Sequence, residues 1–160
     1  MSSSKISTHV NSHGNYHMVD VGVKDSSKRH ARAEAVIEVG RDLYHQLQTS
    51  GETKKGDVFS VAVVAGIMAA KNCSGLIPLG HPLALSKVEI NYDFVDQKVR
   101  FESIVECYGK TGVEMEALVA ANIAALTLYD MCKSIWKGIT IESVRLLHKS
   151  GGRSGEEYAS

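Results

Sequence analysis

Two adjacent runs constrain the fold more than anything else in the chain. Val88, Ile90, Tyr92 and Phe94 alternate with Lys87, Glu89, Asn91 and Asp93. After Asp96 and Gln97, Val99, Phe101, Ser103, Val105 and Cys107 alternate with Arg100, Glu102 and Glu106. Strand side chains point to opposite faces in turn, so each run has one apolar face. Joined by two residues, they read as a β-hairpin with one face to bury. The remainder of the chain must supply the cover.

Ala31 to Val39 also alternates, with Ala33, Ala35, Ile37 and Val39 on one face and Arg32, Glu34 and Glu38 on the other. It reads as a strand despite its alanines. Arg41 to Gln48 reads as a short helix before Gly51. Asp57 is a candidate N-cap for a helix from Val58 to about Lys71. That helix is apolar nearly all round, so more than a sheet must cover it, and a partner subunit is the expected second cover. Asn72 to Leu85 is irregular and holds both prolines, Pro78 and Pro82. Val113 to Trp136 reads as a long helix stopped by Gly138, with Thr111 and Glu114 at capping-box spacing. Ile139 to Leu147 is the last strand.

The order strand, helix, strand, strand, helix, strand predicts an α+β fold. Its form is the ferredoxin-like split βαβ, an antiparallel sheet with helices packed on one face. The expected division is a mobile N-terminal extension over 1–16, one domain over 17–155 and a C-terminal tail over 156–160. At 160 residues, one core suffices without disulfides or metals. Such a fold hosts many functions, so function has to come from the site.

Charge narrows the classes. Lysines plus arginines number 18, as do aspartates plus glutamates. A dedicated nucleic-acid binder shows a basic excess, so the expectation is no nucleic-acid partner, although a local basic pocket remains open. Cys73, Cys107 and Cys132 lack the spacing of a zinc knuckle or a dithiol redox site. No run reads as a signal peptide or approaches the ~18–20 apolar residues of a membrane span. The expected setting is a cytoplasmic protein with no membrane partner.

Five strings carry candidate chemistry, each with a plainer alternative. KKGDVF, Lys54 to Phe59, sets two lysines before a helix N-terminus, which suits a phosphate or simply a solvated loop with a cap. LIPLGHP, Leu76 to Pro82, fixes His81 between Gly80 and Pro82, as a proton donor or acceptor or as a histidine bonding its own loop. In GKTGVEMEAL, Gly109 to Leu118, the acids fit a first helical turn, and GKTG lacks the spacing of a P-loop. In YDMCK, Tyr129 to Lys133, Asp130 and Lys133 share a helix face amid apolar neighbours. A lysine desolvated there would have a lowered pKa and could serve as acid or base. KSGGRSG, Lys149 to Gly155, could close over phosphates with Lys149 and Arg153, or be a loose terminus. His9, His13 and His17 are four apart, but Asn11, Ser12, Gly14 and Asn15 oppose the helix that metal binding would need, so no metal site is expected.

Together with MVDV, LSKVE and VRLL, in this order from about Met18 to Gly155, these strings resemble the cyclic pyranopterin monophosphate synthase family, molybdenum cofactor biosynthesis protein C (MoaC). The resemblance implies rearrangement of 3′,8-cyclo-7,8-dihydroguanosine triphosphate into cyclic pyranopterin monophosphate, with release of pyrophosphate. It implies no required cofactor, neither flavin nor iron–sulfur cluster, with Mg2+ allowed on the substrate triphosphate. It also implies a homo-oligomer, a hexamer built as a trimer of dimers. By motif, the implied catalytic residues are Lys55, Asp130 and Lys133. The implied substrate contacts are Leu79, Gly80, His81, Met115 and Glu116, with Arg32, Glu114 and Lys149 as additions. The chain departs from the common pattern at Gly80, where many members have cysteine, and at Arg153, where lysine is frequent. A required thiol at position 80 is thereby excluded, and a main-chain contact is expected instead.

Geometry adds one expectation. Glu116 and Asp130 lie fourteen residues apart on one helix, about 21 Å at ~1.5 Å per residue. In the split βαβ arrangement the two main helices are expected to run roughly parallel, so Lys55, Glu114, Met115 and Glu116 gather at one pole, and His81, Asp130 and Lys133 at the other. One substrate would then need two chains, with sites at a dimer interface. Two non-catalytic alternatives are a ferredoxin-like nucleotide- or RNA-binding module and a small-molecule sensor. The RNA reading wants stacked aromatics on the third strand, which offers only Phe101.

Overall fold

The computed structural model describes residues 8–152 and 155–158. Four long strands form its sheet: β1 (Ser27–Glu38), β4 (Leu85–Val95), β5 (Lys98–Gly109) and β6 (Thr140–Ser150). A short β7 (Glu156–Tyr158) folds back on β6, where the sequence reading placed a tail. A second two-stranded unit pairs β2 (Glu52–Thr53) with β3 (Gly56–Asp57). The helices are α1 (Arg41–Thr49), α2 (Val58–Lys71), α3 (Cys73–Leu76) and α4 (Glu114–Cys132). Sheet order is β4-β5-β1-β6-β7, antiparallel throughout. This is the α+β, split βαβ arrangement expected from the alternation.

The hairpin forms as read. Asp96 and Gln97 both take positive φ, 49° and 64°, the conformation of a two-residue turn that matches strand twist. Val99, Phe101, Ser103, Val105 and Cys107 are all buried on the helix side. Beside them lie Ala31, Ala33, Ala35 and Ile37 of β1, fully buried. Alanines occupy this face because α4 packs close with its own small residues, Ala117, Ala120, Ala121, Ala124 and Ala125. Ser103 donates to the Ala117 carbonyl at 2.7 Å, so its buried hydroxyl is satisfied.

The seam between α2 and α4 is tighter still. A methyl at Gly66 would press on Ile90 and come within 2.7 Å of the Ala120 carbonyl oxygen. Gly66→Val should therefore lower stability by about 1–3 kcal/mol or more through overpacking. Urea denaturation checks this, and an unchanged midpoint would mean that the helices can part at no cost.

Several boundaries depart from the sequence reading. β1 begins at Ser27, four residues earlier than Ala31. Order extends N-terminally of His17, where Val10 and Tyr16 form a β-bridge; residues 1–7 lie outside the described residues. The capping box at α4 is absent. Val113 holds the N-cap position without a side-chain bond, and Thr111 lies farther out. α4 ends at Cys132 rather than Trp136. Beyond it Ile135 N–H bonds back to the Cys132 carbonyl at 2.8 Å, and Trp136 folds over Gly40 and Gly138. Its indole lies 3.0 Å from where a Cβ on Gly40 would sit, and Gly40 has φ 70°. Only glycine leaves that space in that conformation.

α2 and α4 run antiparallel, not parallel. Lys55, three residues before α2, bonds Asp130, two residues before the end of α4. The N-terminus of α2 therefore lies against the C-terminus of α4. α4 is also long and apolar enough, by length and composition, to cross a membrane, contrary to the sequence reading. Here it is a core helix, packed on the sheet and on α2.

On α2, the face with Ala62, Gly66, Ala69 and Ala70 is buried, whereas Val61, Val64 and Met68 remain about half exposed. One side of this helix is thus uncovered in the single chain. The sheet's far face is polar. Glu34, only 4% exposed, accepts from Arg145 Nε at 2.6 Å and faces Arg100 at 3.6 Å.

Candidate active site

The β2–β3 turn carries Lys55 to the start of α2. Gly56, at φ 101°, closes the turn, and Lys55 N–H donates to Thr53 Oγ1 at 3.1 Å. Asp57 caps α2 as its position predicts, accepting from Ser60 N–H at 2.9 Å and from the Ser60 hydroxyl at 2.7 Å. Held this way, Lys55 Nζ donates to the Asp130 carbonyl oxygen at 2.7 Å and to its Oδ2 at 3.1 Å. The carbonyl is one that the end of α4 leaves without a helical partner, so an ammonium group is favoured there. On the other side, Lys133 Nζ meets Asp130 Oδ1 at 2.6 Å. One carboxylate is thus bracketed by two lysines of the same chain.

The electrostatics follow from this bracket. Hydrogen bonds from Lys133 and then Lys55 hold the Asp130 carboxyl below the usual aspartate range. The bond to Asp130 raises Lys133 above the ordinary lysine value. The sequence reading expected a desolvated lysine of lowered pKa. Lys133 instead stands beyond the last turn of α4 with its side chain 55% exposed, so the ion pair outweighs burial. The bond thus favours the charged form of Lys133, and the cluster sets two lysine side chains against one carboxylate.

The opposite pole holds the second group. Leu79, Gly80, His81, Met115, Glu116 and Glu114 line one cavity of about 520 Å³. Lys149 Nζ lies 3.3 Å from Glu114 Oε1 at its border with a second cavity. His81 Nε2 donates to the Val19 carbonyl at 2.8 Å. A carbonyl only accepts, so Nε2 carries the proton. Gly80 N–H bonds to the Ile77 carbonyl at 3.0 Å, and a Cβ at Gly80 would lie 3.2 Å from that oxygen. His81→Ala removes one such bond, for a stability loss of about 1 kcal/mol. It should weaken substrate binding by more than it lowers the melting temperature. A variant that simply fails to fold would make His81 a structural residue.

Glu116 is 6% exposed and sits beside Cys73 and near Cys107. Burial raises its carboxyl above the usual glutamate range. Burial and the neighbouring Glu116 push the Cys73 thiol up to about 12. A folded-state carboxyl above its unfolded value means that the folded chain binds more protons, so stability falls as pH rises through that window. Glu116→Gln should therefore raise the melting temperature at neutral pH, and the gain should shrink as pH drops toward the ordinary glutamate range. Melting curves at several pH values check this; a constant gap would mean that Glu116 does not titrate in the fold.

Arg32 is not brought to either group. It lies on the sheet's far face, where its Nε donates to Glu102 Oε1 at 2.7 Å. The expected poles are re-sorted. Lys55 joins Asp130 and Lys133, and His81 joins Glu114, Met115 and Glu116, because the helices are antiparallel. Arg153 lies outside the described residues. Three cations that the sequence reading did not select, Lys24, Arg29 and Lys110, line the second cavity. Lys110 is about eighty residues from Lys24 and Arg29, and only it, in GKTG, fell within a string singled out there. Among the described residues, no three His, Cys, Asp or Glu side chains converge where a metal ion could sit.

The structure is thus a small α+β domain with a doubly bracketed carboxylate at one pole and a cavity with a buried acid at the other. Residues 18–152 match the model of the MoaC family. The chain belongs to that family, and thereby to the proteins of molybdenum cofactor biosynthesis.

Proposed function

We propose that this chain is a cyclic pyranopterin monophosphate synthase, a phosphorus–oxygen lyase. It converts 3′,8-cyclo-7,8-dihydroguanosine 5′-triphosphate into cyclic pyranopterin monophosphate and releases pyrophosphate. The observation that carries this reading is the Lys55–Asp130–Lys133 cluster. Its two charged ammonium groups suit a substrate with up to four negative charges. Opening one ring and building another requires repeated proton transfers, which a lysine–carboxylate–lysine relay can supply. Closing the cyclic phosphate needs a sugar oxygen aligned on the α-phosphorus and a stabilised leaving group, where positioning and cationic charge dominate. The reading requires no resident cofactor; Mg2+ can accompany the triphosphate as part of the substrate.

Glu116 and Asp130 remain about 21 Å apart along α4, so one substrate does not span both poles of one chain. The proposal is a two-fold dimer that sets the Lys55–Asp130–Lys133 pole of one chain against the His81–Glu116 pole of its partner. A hexamer, as a trimer of such dimers, would cover further surface, and the half-exposed Val61, Val64 and Met68 of α2 suit an interface. The protein is proposed to act in the cytoplasm, without membrane or nucleic-acid partners. Phe101, fully buried under the helices, does not offer the stacking platform of an RNA-binding module.

Mixing the purified chain with the cyclic triphosphate tests the reading. Pyrophosphate and the pyranopterin are expected in equal amounts. Substrate that stays intact would favour a binding module or sensor.

A further inference from the structure

His9, His13 and His17, which the proposed reaction does not use, lie on a hairpin rather than on a helix. Val10 and Tyr16 form its β-bridge, and His17 N–H donates to the His9 carbonyl at 3.0 Å. Asn11 holds the turn: its side-chain oxygen accepts from the His13 and Asn15 N–H groups at 3.0 and 2.9 Å. Gly14 supplies the positive φ, 79°, that the turn needs. His13 and His17 stay exposed, whereas His9 is half-buried. Thr8 and His9 join the lining of the 520 Å³ cavity at the His81–Glu116 pole.

One stretch of main chain orients two imidazoles of that cavity. His9 Nδ1 donates to the His17 carbonyl at 3.3 Å, and His81 Nε2 donates to the Val19 carbonyl at 2.8 Å. Carbonyl oxygens only accept, so each neutral ring carries its proton on the nitrogen that meets the main chain. The basic nitrogen is then Nε2 of His9 and Nδ1 of His81. Both rings thus contribute an acceptor to the lining. Glu116 contributes the complement, because burial raises its carboxyl and favours the protonated, donating form. Val19, Val21, Ile77, Leu79 and Leu83 supply apolar walls. Apolar walls with a few oriented polar groups make a small-molecule site.

We propose that His9 is a specificity-determining residue of this site, accepting a hydrogen bond from a ring N–H of the planar heterocycle that occupies the cavity. That the ligand carries such a ring rests on the proposed function. The hairpin is the element that delivers His9, so residues 8–17 belong to the site rather than to a loose extension.

Calorimetric titration of the full chain with guanosine 5′-triphosphate, and separately with inorganic pyrophosphate, tests this at pH 8, above the ordinary histidine range. His9→Asn keeps an N–H near the Nδ1 position for the His17 carbonyl but sets no acceptor where Nε2 stood. It should weaken nucleotide binding about two- to tenfold, the value of one neutral hydrogen bond. Pyrophosphate has no ring, so its binding should not change, and neither should the melting temperature. His9→Gln carries an acceptor out toward the Nε2 position and should bind the nucleotide more tightly than His9→Asn. His13→Asn alters only the exposed turn and should behave as the native chain. With the cyclic triphosphate, His9→Asn should raise KM by the same factor and leave kcat unchanged, as loss of uniform binding does. A native chain that does not bind the nucleotide, unchanged affinity in His9→Asn, or equal losses for nucleotide and pyrophosphate would overturn the inference. Nucleotide binding that depends on His9 in a chain that leaves the cyclic triphosphate intact would uphold the contact and discard the reaction. Turnover with an unchanged KM in His9→Asn would do the reverse.

Discussion

Lys133→Ala is expected to lower pyrophosphate release from the cyclic triphosphate by about a hundred- to ten-thousandfold, the range lost with a general acid–base group. Lys55→Ala should fall in the same range. Both side chains are about half exposed, so neither substitution opens a cavity, and the far-ultraviolet spectrum should not change. Asp130→Asn separates the roles. It keeps the shape but removes the charge that raises Lys133, so the lysine pKa should drop and the pH–rate profile should shift to lower pH. Asp130 itself stays ionised down through the ordinary carboxylate range, because its own pKa is lowered. The acid limb of the native profile should therefore not belong to Asp130. Near-normal turnover in either alanine variant would remove that lysine from the reaction.

The elements that were legible in sequence are those set by local chemistry. The hairpin showed in its alternation, since a one-residue slip would turn every apolar side chain to the wrong face. Asp57 showed as a cap because it stands just before the apolar run that begins at Val58, and its carboxylate accepts the Ser60 backbone N–H. What stayed hidden depends on long-range placement. Nothing local to Trp136 says that it leaves its helix to cover Gly40, nearly a hundred residues earlier. The capping box failed because matching residue types do not fix where the first turn begins. Helix direction was misread even though the sheet was expected to be antiparallel: helices that return from the antiparallel neighbours β1 and β5 must themselves oppose one another, so α2 turns against α4. That one fact moved Lys55 to Asp130 and His81 to Glu116. The site residues were legible as strings, but their grouping was not. Lys24, Arg29 and Lys110 form a cluster only after folding.

The second large effect follows from the regrouping. With helices taken as parallel, Lys55→Ala and Lys133→Ala chains would have rescued one another. They should not, since both lysines bracket the Asp130 of their own chain. The partners that should rescue are a Lys133→Ala chain and a chain carrying His81→Ala with Lys149→Ala. In a two-fold dimer of these, one site takes both damaged poles and the other takes both intact ones. With random pairing half the dimers are mixed, so about a quarter of all sites recover. The chains would be co-expressed with different tags and the mixed dimers purified through both. Pyrophosphate release is then measured at a substrate concentration where each parent is nearly silent. The account predicts about half of native activity in the purified mixed dimers, far above either parent. Verified mixed dimers no more active than their parents would contradict it, because the two poles would then not form one site across two chains.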